Sequence, residues 1–246
     1  MTKRVGVFCL YVNDFAPDIL KITKPFLENW CKRIGADLHY ITERKYPDMP
    51  PNYEKFQIYE LGKEYDYQIF IDADALVPLE MFDPTEFIGM DEICFNRVDP
   101  ANSRFKFDKY FRRDGRNIGA GTFFVVTTKW TLDAWKPLEL QDDITKEDCI
   151  ANITPIRVER NFGVDAVHLL DDYLVSRNIA KYGLKVRTLV GDVCDKIKCK
   201  QTLQHAYLDT KENKAKYLSM VVEDLNKASG SFFKPIEEKK DEWSKS

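Results

Sequence analysis

The sequence predicts an α/β fold in which a mostly parallel central sheet carries helices on both faces. Short apolar runs at residues 4–12, 38–41 and 69–71 alternate with segments at 18–34 and 53–61 whose apolar residues recur near helical spacing. The run at 69–71 is continuous, which is typical of a strand covered on both sides. A β-α-β-α-β order implies right-handed crossovers and parallel pairing. We therefore expect the N-terminal half to face a nucleotide-sized crevice.

Glycines mark the ends of the main predicted helices. Gly35 follows the helix at 18–34, Gly62 follows the helix at 53–61, and Gly183 follows a helix at 165–181. Glycine suits a helix C-terminus because it adopts the left-handed backbone conformation without steric cost. The remaining predicted elements are strands at 92–96, 123–126, 184–190 and 201–205 and helices at 130–136 and 212–226.

The composition is that of an ordinary globular chain. Its 246 residues are 44% apolar and 31% charged, with a net charge of −3, so the basic excess of many nucleic-acid or membrane-surface binders is absent. The sequence contains no apolar run of the roughly 18–20 residues that cross a bilayer and no signal peptide pattern. Six scattered cysteines fit a reducing compartment. We expect a cytoplasmic protein with one domain, 1–228, and a loosely ordered polar tail, 229–246.

Two aspartates one residue apart end the third predicted strand. Asp72 and Asp74 follow the run at 69–71, at the carboxyl end of a strand, where open α/β sheets place their ligands. Residues i and i+2 of a strand share a face, so both carboxylates can offer oxygen ligands to Mg²⁺ or Mn²⁺. The alternative is that the two side chains only form hydrogen bonds with the backbone of a turn. A haloacid-dehalogenase nucleophile is disfavoured, because the pair lies well into the chain and Leu76 stands where those enzymes carry Thr or Val.

A locally basic loop is predicted at residues 97–116. It carries seven lysines and arginines against three aspartates, which leaves about four net positive charges. Two interpretations stay open: a solvated surface insert, or a lid or acceptor loop that meets phosphate or another anion. Gly119 and Gly121 follow the loop and indicate a close approach of backbone to a ligand, or a bulge.

The order of these features resembles that of the GT-A glycosyltransferases, and within them glycosyltransferase family 8, the family of glycogenin and bacterial lipopolysaccharide galactosyltransferases. That family has a basic residue on a helix and then a strand that ends in Asp-x-Asp, which Lys55 and Asp72-Ala73-Asp74 match. Next comes a small glycine-containing segment, matched by Gly119-Ala120-Gly121 or by Asn117-Ile118-Gly119. The resemblance spans roughly residues 4–212.

Two later motifs extend the resemblance. A helix in that family carries the motif Asp-Gln-Asp, which aligns with Leu170-Asp171-Asp172. Asp172 matches the second Asp of the motif, whereas Leu170 stands at the position of the first. The last motif begins with His and has Lys six residues later, as His205 and Lys211 do here, although its Gly, Pro and Trp are missing from this chain.

The resemblance implies a transferase that moves a hexose from a nucleotide-sugar, a UDP-sugar, with retention of configuration and with Mn²⁺ or Mg²⁺. Asp72, Asp74 and His205 would hold the cation, and imidazole suits Mn²⁺ better than Mg²⁺. Asp172, with Asp171 beside it, would approach the sugar or the acceptor hydroxyl, while an exposed acidic pair is the alternative. Further residues implied to contact the donor are Leu10, Tyr11, Asn13, Lys55, Ala73, Gly119, Gly121 and Lys211.

The acceptor and two rival functions stay open at this point. The acceptor would be a glycan, a lipid-linked compound or another hydroxyl, and a modified nucleic acid would require the basic loop to bind it. A nucleotidyltransferase would want a glycine-rich loop after the first strand, where residues 10–14 contain no glycine. A non-catalytic nucleotide-sugar or glycan-binding protein on the same scaffold is disfavoured by the intact Asp72 and Asp74.

Overall fold

A computed structural model describes residues 3–96, 122–153, 166–194, 203–206 and 210–229, with a six-stranded sheet at its centre. Two further short strands, β4 and β8, pair with each other outside this sheet. The strands in chain order are β1 (Val5–Leu10), β2 (Asp37–Ile41), β3 (Tyr67–Asp72), β4 (Ala75–Leu76), β5 (Glu92–Phe95), β6 (Phe124–Thr128), β7 (Lys185–Thr188) and β8 (Gln204–His205).

The central sheet has the strand order β2-β1-β3-β6-β5-β7. β1 pairs in parallel with β2 and β3, and β5 pairs in parallel with β7. β6 lies between β3 and β5 and runs antiparallel to both. Five of the six strands in this sheet therefore share one direction. The predicted α/β fold with a mostly parallel sheet is confirmed.

Helices cover both faces of the sheet, because alternate residues of each strand point into two separate apolar layers. On β3, Phe70 packs in one layer with Trp135 and Tyr173, whereas Ile69 packs in the other with Trp30. All five side chains are essentially buried, and burying a large apolar side chain contributes about 1.5–3 kcal/mol relative to leaving it exposed. The continuous apolar run at 69–71 follows from this two-sided burial.

Glycine ends two of the helices that the structure describes, as predicted. Gly35 and Gly183 have φ of 67° and 64°, the left-handed values that favour glycine. None of the helices in the described ranges has both the length and the apolar character needed to cross a membrane. The helices are α1 (Pro17–Ile34), α2 (Ile58–Leu61), α3 (Lys146–Asn152), α4 (Leu170–Tyr182) and α5 (Lys211–Ser229).

Two predicted helices begin in the tighter 3₁₀ form. The segment expected as a helix at 53–61 is a 3₁₀ helix over Pro51–Gln57 that runs into α2. Gly62 is the C-cap of α2, as predicted, but its φ of −81° is not left-handed, and another 3₁₀ turn follows over Gly62–Glu64. The helix expected at 165–181 likewise starts as a 3₁₀ turn, Ala166–Leu169, before α4. The periodicity identified the helical segments but not their backbone form.

The C-terminal part of the described chain returns to the carboxyl edge of the sheet. β8 pairs antiparallel with β4, which places His205 opposite Ala75. α5 packs against α1 through an apolar cluster that includes Leu218, Ile19 and Phe26. These two contacts fix residues 203–206 and 210–229 beside the end of β3. The predicted tail lies outside the described residues from 230 onward.

Candidate functional site

A cavity of about 550 Å³ opens at the carboxyl edge of the sheet, beside the ends of β1 and β3. That size is ordinary for a site that takes a small molecule or a cofactor. Ten residues that the sequence nominated line it: Leu10, Asn13, Lys55, Asp72, Ala73, Asp74, Asp171, Asp172, His205 and Lys211.

One end of the cavity is built from Asp72, Asp74 and His205. β3 ends at Asp72, and the pairing of β8 with β4 brings in His205 from the far end of the chain. His205 Nε2 lies 3.1 Å from Asp74 Oδ1 and 3.9 Å from Asp72 Oδ2. The imidazole also stacks on Phe123, with ring centroids 4.4 Å apart. One potential ligand atom from each residue lies within 4.8 Å of the others, close enough for all three to bind one ion.

The two carboxylates differ in their affinity for protons. Burial raises the pKa of Asp72 to about 6, with the charge of Asp74 adding to the rise and Lys55 opposing it. Burial also works to raise the pKa of Asp74, but the hydrogen bond and charge of His205 and the charge of Lys214 outweigh it and lower the pKa to about 2. Asp74 therefore carries a full charge at neutral pH, whereas Asp72 lies in surroundings that disfavour its charge.

This donor set fits a divalent cation. Two carboxylates supply hard oxygen ligands, and one imidazole nitrogen extends the choice from Mg²⁺ to Mn²⁺. Burial and the neighbouring charge of Asp74 both raise the pKa of Asp72, and a cation between the two carboxylates would relieve both effects. Asp72, Asp74 and His205 are the residues that could hold such an ion.

A buried charge network around Lys55, which is 2% exposed, also lines the cavity beside Asp72. Lys55 Nζ lies 2.6 Å from Asp171 Oδ2 and 3.8 Å from Asp72 Oδ1, and it donates to Thr122 Oγ1 at 3.0 Å. Burial works to lower the pKa of Lys55, but the charges of Asp171 and Asp72 outweigh it, so its pKa is raised. The ammonium group therefore stays charged inside the protein.

Thr122 connects this network to both carboxylates of α4. Its backbone N–H donates to Asp172 Oδ1 at 3.0 Å. Its hydroxyl lies 2.8 Å from Asp172 Oδ1 and 3.1 Å from Asp171 Oδ2, and it can donate its single proton to one of them at a time. Asp171 and Asp172 are 4% and 8% exposed, so the interpretation of the pair as an exposed acidic surface is wrong.

Asn52 also lines the cavity and was missed by the sequence analysis as a site residue. Its Nδ2 donates to Asp171 Oδ1 at 2.8 Å and to the carbonyl oxygen of His168 at 2.7 Å. Its Oδ1 is buried and has no hydrogen-bond partner among the residues that the structure describes. A buried amide oxygen without a donor costs free energy, so this atom is a natural acceptor for a hydroxyl group of a ligand.

Two lysines at the start of α5 also line the cavity. Lys211 Nζ lies 4.8 Å from the centre of the Phe15 ring. Lys214, one helical turn later, forms an ion pair with Asp74 Oδ2. Lys214 was missed, although a lysine three residues after a nominated one lies on the same helix face and could have been considered.

The loop between β1 and α1 forms a rim of the cavity and is strained. Asn13, Asp14 and Ala16 have φ of 56°, 48° and 50°, values that cost free energy for residues other than glycine and that cluster at functional sites. Asn13 faces the cavity. Tyr11, nominated for base or ribose contact, packs instead against the apolar layer that contains Trp30. Residues i and i+1 of an extended chain point to opposite sides, which separates Tyr11 from Leu10.

Some nominated residues lie outside the described ranges. These are Gly119 and Gly121, the alternative segment Asn117-Ile118-Gly119, and the basic loop at 97–116. Their place relative to the cavity stays a prediction. The described chain resumes at Thr122, which is already part of the site.

Comparisons with known proteins support the fold. No protein-family model and no curated protein matches the sequence. A glycosyltransferase involved in the glycosylation of the major capsid of PBCV-1 superposes with a TM-score of 0.50 at 11% sequence identity, over 88% of this chain and 99% of that one. The architecture is that of the GT-A glycosyltransferases. Membership in family 8 stays a prediction.

Two further solved structures are more distant. The bifunctional glycosyltransferase WbbM has a TM-score of 0.49 at 11% identity, over 92% of this chain and 50% of that one. A mutant of the Drosophila beta-1,4-galactosyltransferase 7, in complex with manganese, UDP-Gal and xylobiose, has a TM-score of 0.39 at 13% identity, over 86% and 73%.

Proposed function

We propose that this chain is a metal-dependent glycosyltransferase that moves a hexose from a nucleoside-diphosphate sugar, a UDP-sugar, to an acceptor hydroxyl with retention of configuration. One observation carries the proposal. Asp72, Asp74 and His205 come from distant parts of the chain and meet within 4.8 Å in a cavity at the carboxyl edge of a GT-A sheet. Turn chemistry alone gives no reason for His205 to join the two aspartates.

The metal end of the cavity would receive the diphosphate. Asp72, Asp74 and His205 would hold Mn²⁺ or Mg²⁺, which when bound supplies positive charge against the negative charge that develops on the leaving diphosphate. Lys211 adds a positive charge to the lining of the same cavity. Leu10 and Asn13, which line the same cavity, would contact the nucleoside.

The buried network would receive the sugar. Asp171 Oδ1 accepts a hydrogen bond from Asn52, and Asp171 Oδ2 forms an ion pair with Lys55. We therefore assign Asp171 to positioning these two side chains. Asp172 would approach a hydroxyl of the sugar or of the acceptor. Asn52 Oδ1 would accept a hydrogen bond from a sugar hydroxyl. These side chains would thus recognise the hexose by hydrogen bonds to its hydroxyl groups, which replace the hydrogen bonds that those hydroxyls make with water.

The acceptor is proposed only as a class: a glycan, a lipid-linked compound or another hydroxyl compound. A cytoplasmic location is likewise a proposal. It is supported by Cys9, Cys31, Cys94 and Cys149, which are buried and form no disulfide within the part of the chain that the structure describes, since oxidising compartments favour disulfides.

The experiment that tests this function incubates the protein with a panel of UDP- and GDP-sugars, with and without Mn²⁺, and measures release of the nucleoside diphosphate. We expect slow hydrolysis of one donor, dependent on metal, and a loss of about 100-fold or more in Asp74→Asn. Asp18→Asn makes the same chemical change at an exposed position on α1 and should keep full activity.

The rival functions give different results in the same assay. A nucleotidyltransferase would release pyrophosphate from a nucleoside triphosphate and a sugar phosphate. A non-catalytic protein would bind a nucleotide-sugar with metal but would neither hydrolyse it nor transfer its sugar to any acceptor in a glycan panel. The proposal is overturned if no donor is turned over and none binds in a metal-dependent way.

A further inference from the structure

Both oxygens of the Asp74 carboxylate already have cationic or hydrogen-bonding partners in the protein itself. His205 Nε2 lies 3.1 Å from Oδ1, and Lys214 Nζ forms an ion pair with Oδ2. The Asp74 side chain is 7% exposed and the Lys214 side chain 18% exposed. Water therefore screens this ion pair only partly, and the ammonium group occupies one of the oxygens that a cation would use.

We infer that Lys214 is a positioning residue that couples cation binding to diphosphate binding; this rests on the proposed function. Without nucleotide, Lys214 neutralises Asp74 and competes with a divalent cation for its Oδ2. When a cation and a diphosphate enter together, Lys214 exchanges its carboxylate partner for a phosphate oxygen. The side chain thus opposes the cation alone and favours the cation with its nucleotide.

Electrostatics gives the direction of both effects. An ammonium group and a divalent cation on the same carboxylate repel each other strongly in a partly buried site, so the cation can bind only if Lys214 moves away. A lysine can move, because its charge sits on a flexible four-carbon stem. Lys214 lines the same cavity as the proposed metal ligands, and a diphosphate there would be an anion that replaces Asp74 as its partner.

Lys211 provides the matched comparison. It lies one turn earlier on α5, carries the same charge and lines the same cavity, but its ammonium group lies over the ring of Phe15. Removing Lys211 lowers the positive charge of the cavity without freeing an oxygen of Asp74. Lys216, exposed on the same helix, controls for the loss of one charge outside the cavity.

The test measures Mn²⁺ affinity by electron paramagnetic resonance, without nucleotide and then with saturating UDP or GDP. Without nucleotide, we expect Lys214→Ala to bind Mn²⁺ about tenfold more tightly than the wild type, because the competing ammonium is gone. Lys211→Ala should raise the affinity less than Lys214→Ala does, because it frees no oxygen of Asp74. Lys216→Ala should change it by less than about threefold, since salt screens an exposed charge outside the cavity. Adding nucleotide should raise the Mn²⁺ affinity of the wild type more than that of Lys214→Ala.

Two further variants keep the result interpretable. Lys214→Gln preserves most of the side-chain volume without the charge and should behave like Lys214→Ala, whereas Lys214→Arg should retain the wild-type coupling. Thermal melts would show that the variants are folded. If the role of Lys214 is purely structural, its substitution would weaken Mn²⁺ binding or leave it unchanged. The effect of the substitution would then be the same with and without nucleotide.

The outcomes separate this inference from the function on which it rests. If the wild type binds Mn²⁺ at a site lost in Asp74→Asn, but Lys214→Ala binds no more tightly, the coupling role of Lys214 is wrong and the proposed function stands. If the wild type shows no Mn²⁺ binding that depends on Asp74, with or without UDP or GDP, both are wrong.

Discussion

At the scale of single residues, Lys55 shows how one buried charge organises the cavity. Its ammonium group is held by Asp171 at 2.6 Å and by the hydroxyl of Thr122, and it lies 3.8 Å from Asp72. Lys55 thus links the wall proposed for the sugar to the carboxylates proposed for the metal. Such a buried pair adds little net stability by itself, but removing one partner leaves the other charge uncompensated.

Lys55→Met should therefore destabilise the fold. The variant leaves Asp171 buried without its cation, and we expect the free energy of unfolding to fall by about 3 kcal/mol, measured by urea denaturation. The double variant Lys55→Met, Asp171→Leu should recover part of this loss, because no charge is then left unpaired. Lys63→Met removes an exposed lysine that pairs with Glu60 on the surface and should have no measurable effect. Equal stability of Lys55→Met and the wild type would contradict the network described above.

Asn52→Asp tests recognition of the sugar. The change keeps the size of the side chain but replaces the amide that donates to Asp171 at 2.8 Å by a second carboxylate. We expect a rise of about tenfold or more in the KM for the nucleotide-sugar, because two close carboxylates repel each other and the sugar wall is disturbed. The affinity for UDP with Mn²⁺ should stay close to that of the wild type, which calorimetry can measure. An equal loss of affinity for the nucleotide-sugar and for UDP with Mn²⁺ would contradict the proposed contact of Asn52 with the sugar.

At the scale of elements, α5 and β8 bring the C-terminal segment to the cavity. β8 pairs with β4 and supplies His205, while α5 supplies Lys211 and Lys214. The packing of α5 on α1 depends on a small apolar cluster around Leu218, which is completely buried. A helix fixed by so few buried side chains is a natural unit of local unfolding.

Leu218→Ala should loosen this helix and weaken nucleotide binding together. A buried leucine replaced by alanine costs about 2–5 kcal/mol, and the loss should fall mainly on the docking of α5. We expect hydrogen exchange of the backbone amides of α5 to accelerate, and the affinity for UDP with Mn²⁺ to fall, while the amides of the central sheet stay protected. Met220→Ala, on an exposed position of the same helix, should change neither. Faster exchange throughout the sheet would show that α5 is not a separate unit.

At the scale of the whole molecule, much of the architecture follows from the sequence. Two-sided burial requires the continuous apolar run before Asp72, and Gly35 and Gly183 end helices because they adopt positive φ. α3 was missed, since its start depends on a capping box between Thr145 and Asp148 in which Asp replaces the usual Glu or Gln. The local sequence specified helices and strands wherever periodicity was strong.

The site was predictable only in part, for a physical reason. Asp72 and Asp74 are recognisable because they directly follow a buried strand. The contact of Asn52 with Asp171 joins residues 119 positions apart, and the ion pair of Lys214 with Asp74 joins residues 140 positions apart. Both contacts depend on how elements pack, which local pattern does not specify.

The central claim is that Asp72, Asp74 and His205 form one divalent cation site, and anomalous diffraction tests it most directly. Crystals grown with Mn²⁺ and UDP would be measured on both sides of the manganese absorption edge. The account predicts one strong anomalous peak in contact with all three side chains, and its loss in crystals of Asp74→Asn. A manganese peak elsewhere in the cavity, or none in crystals that contain bound UDP, would contradict it.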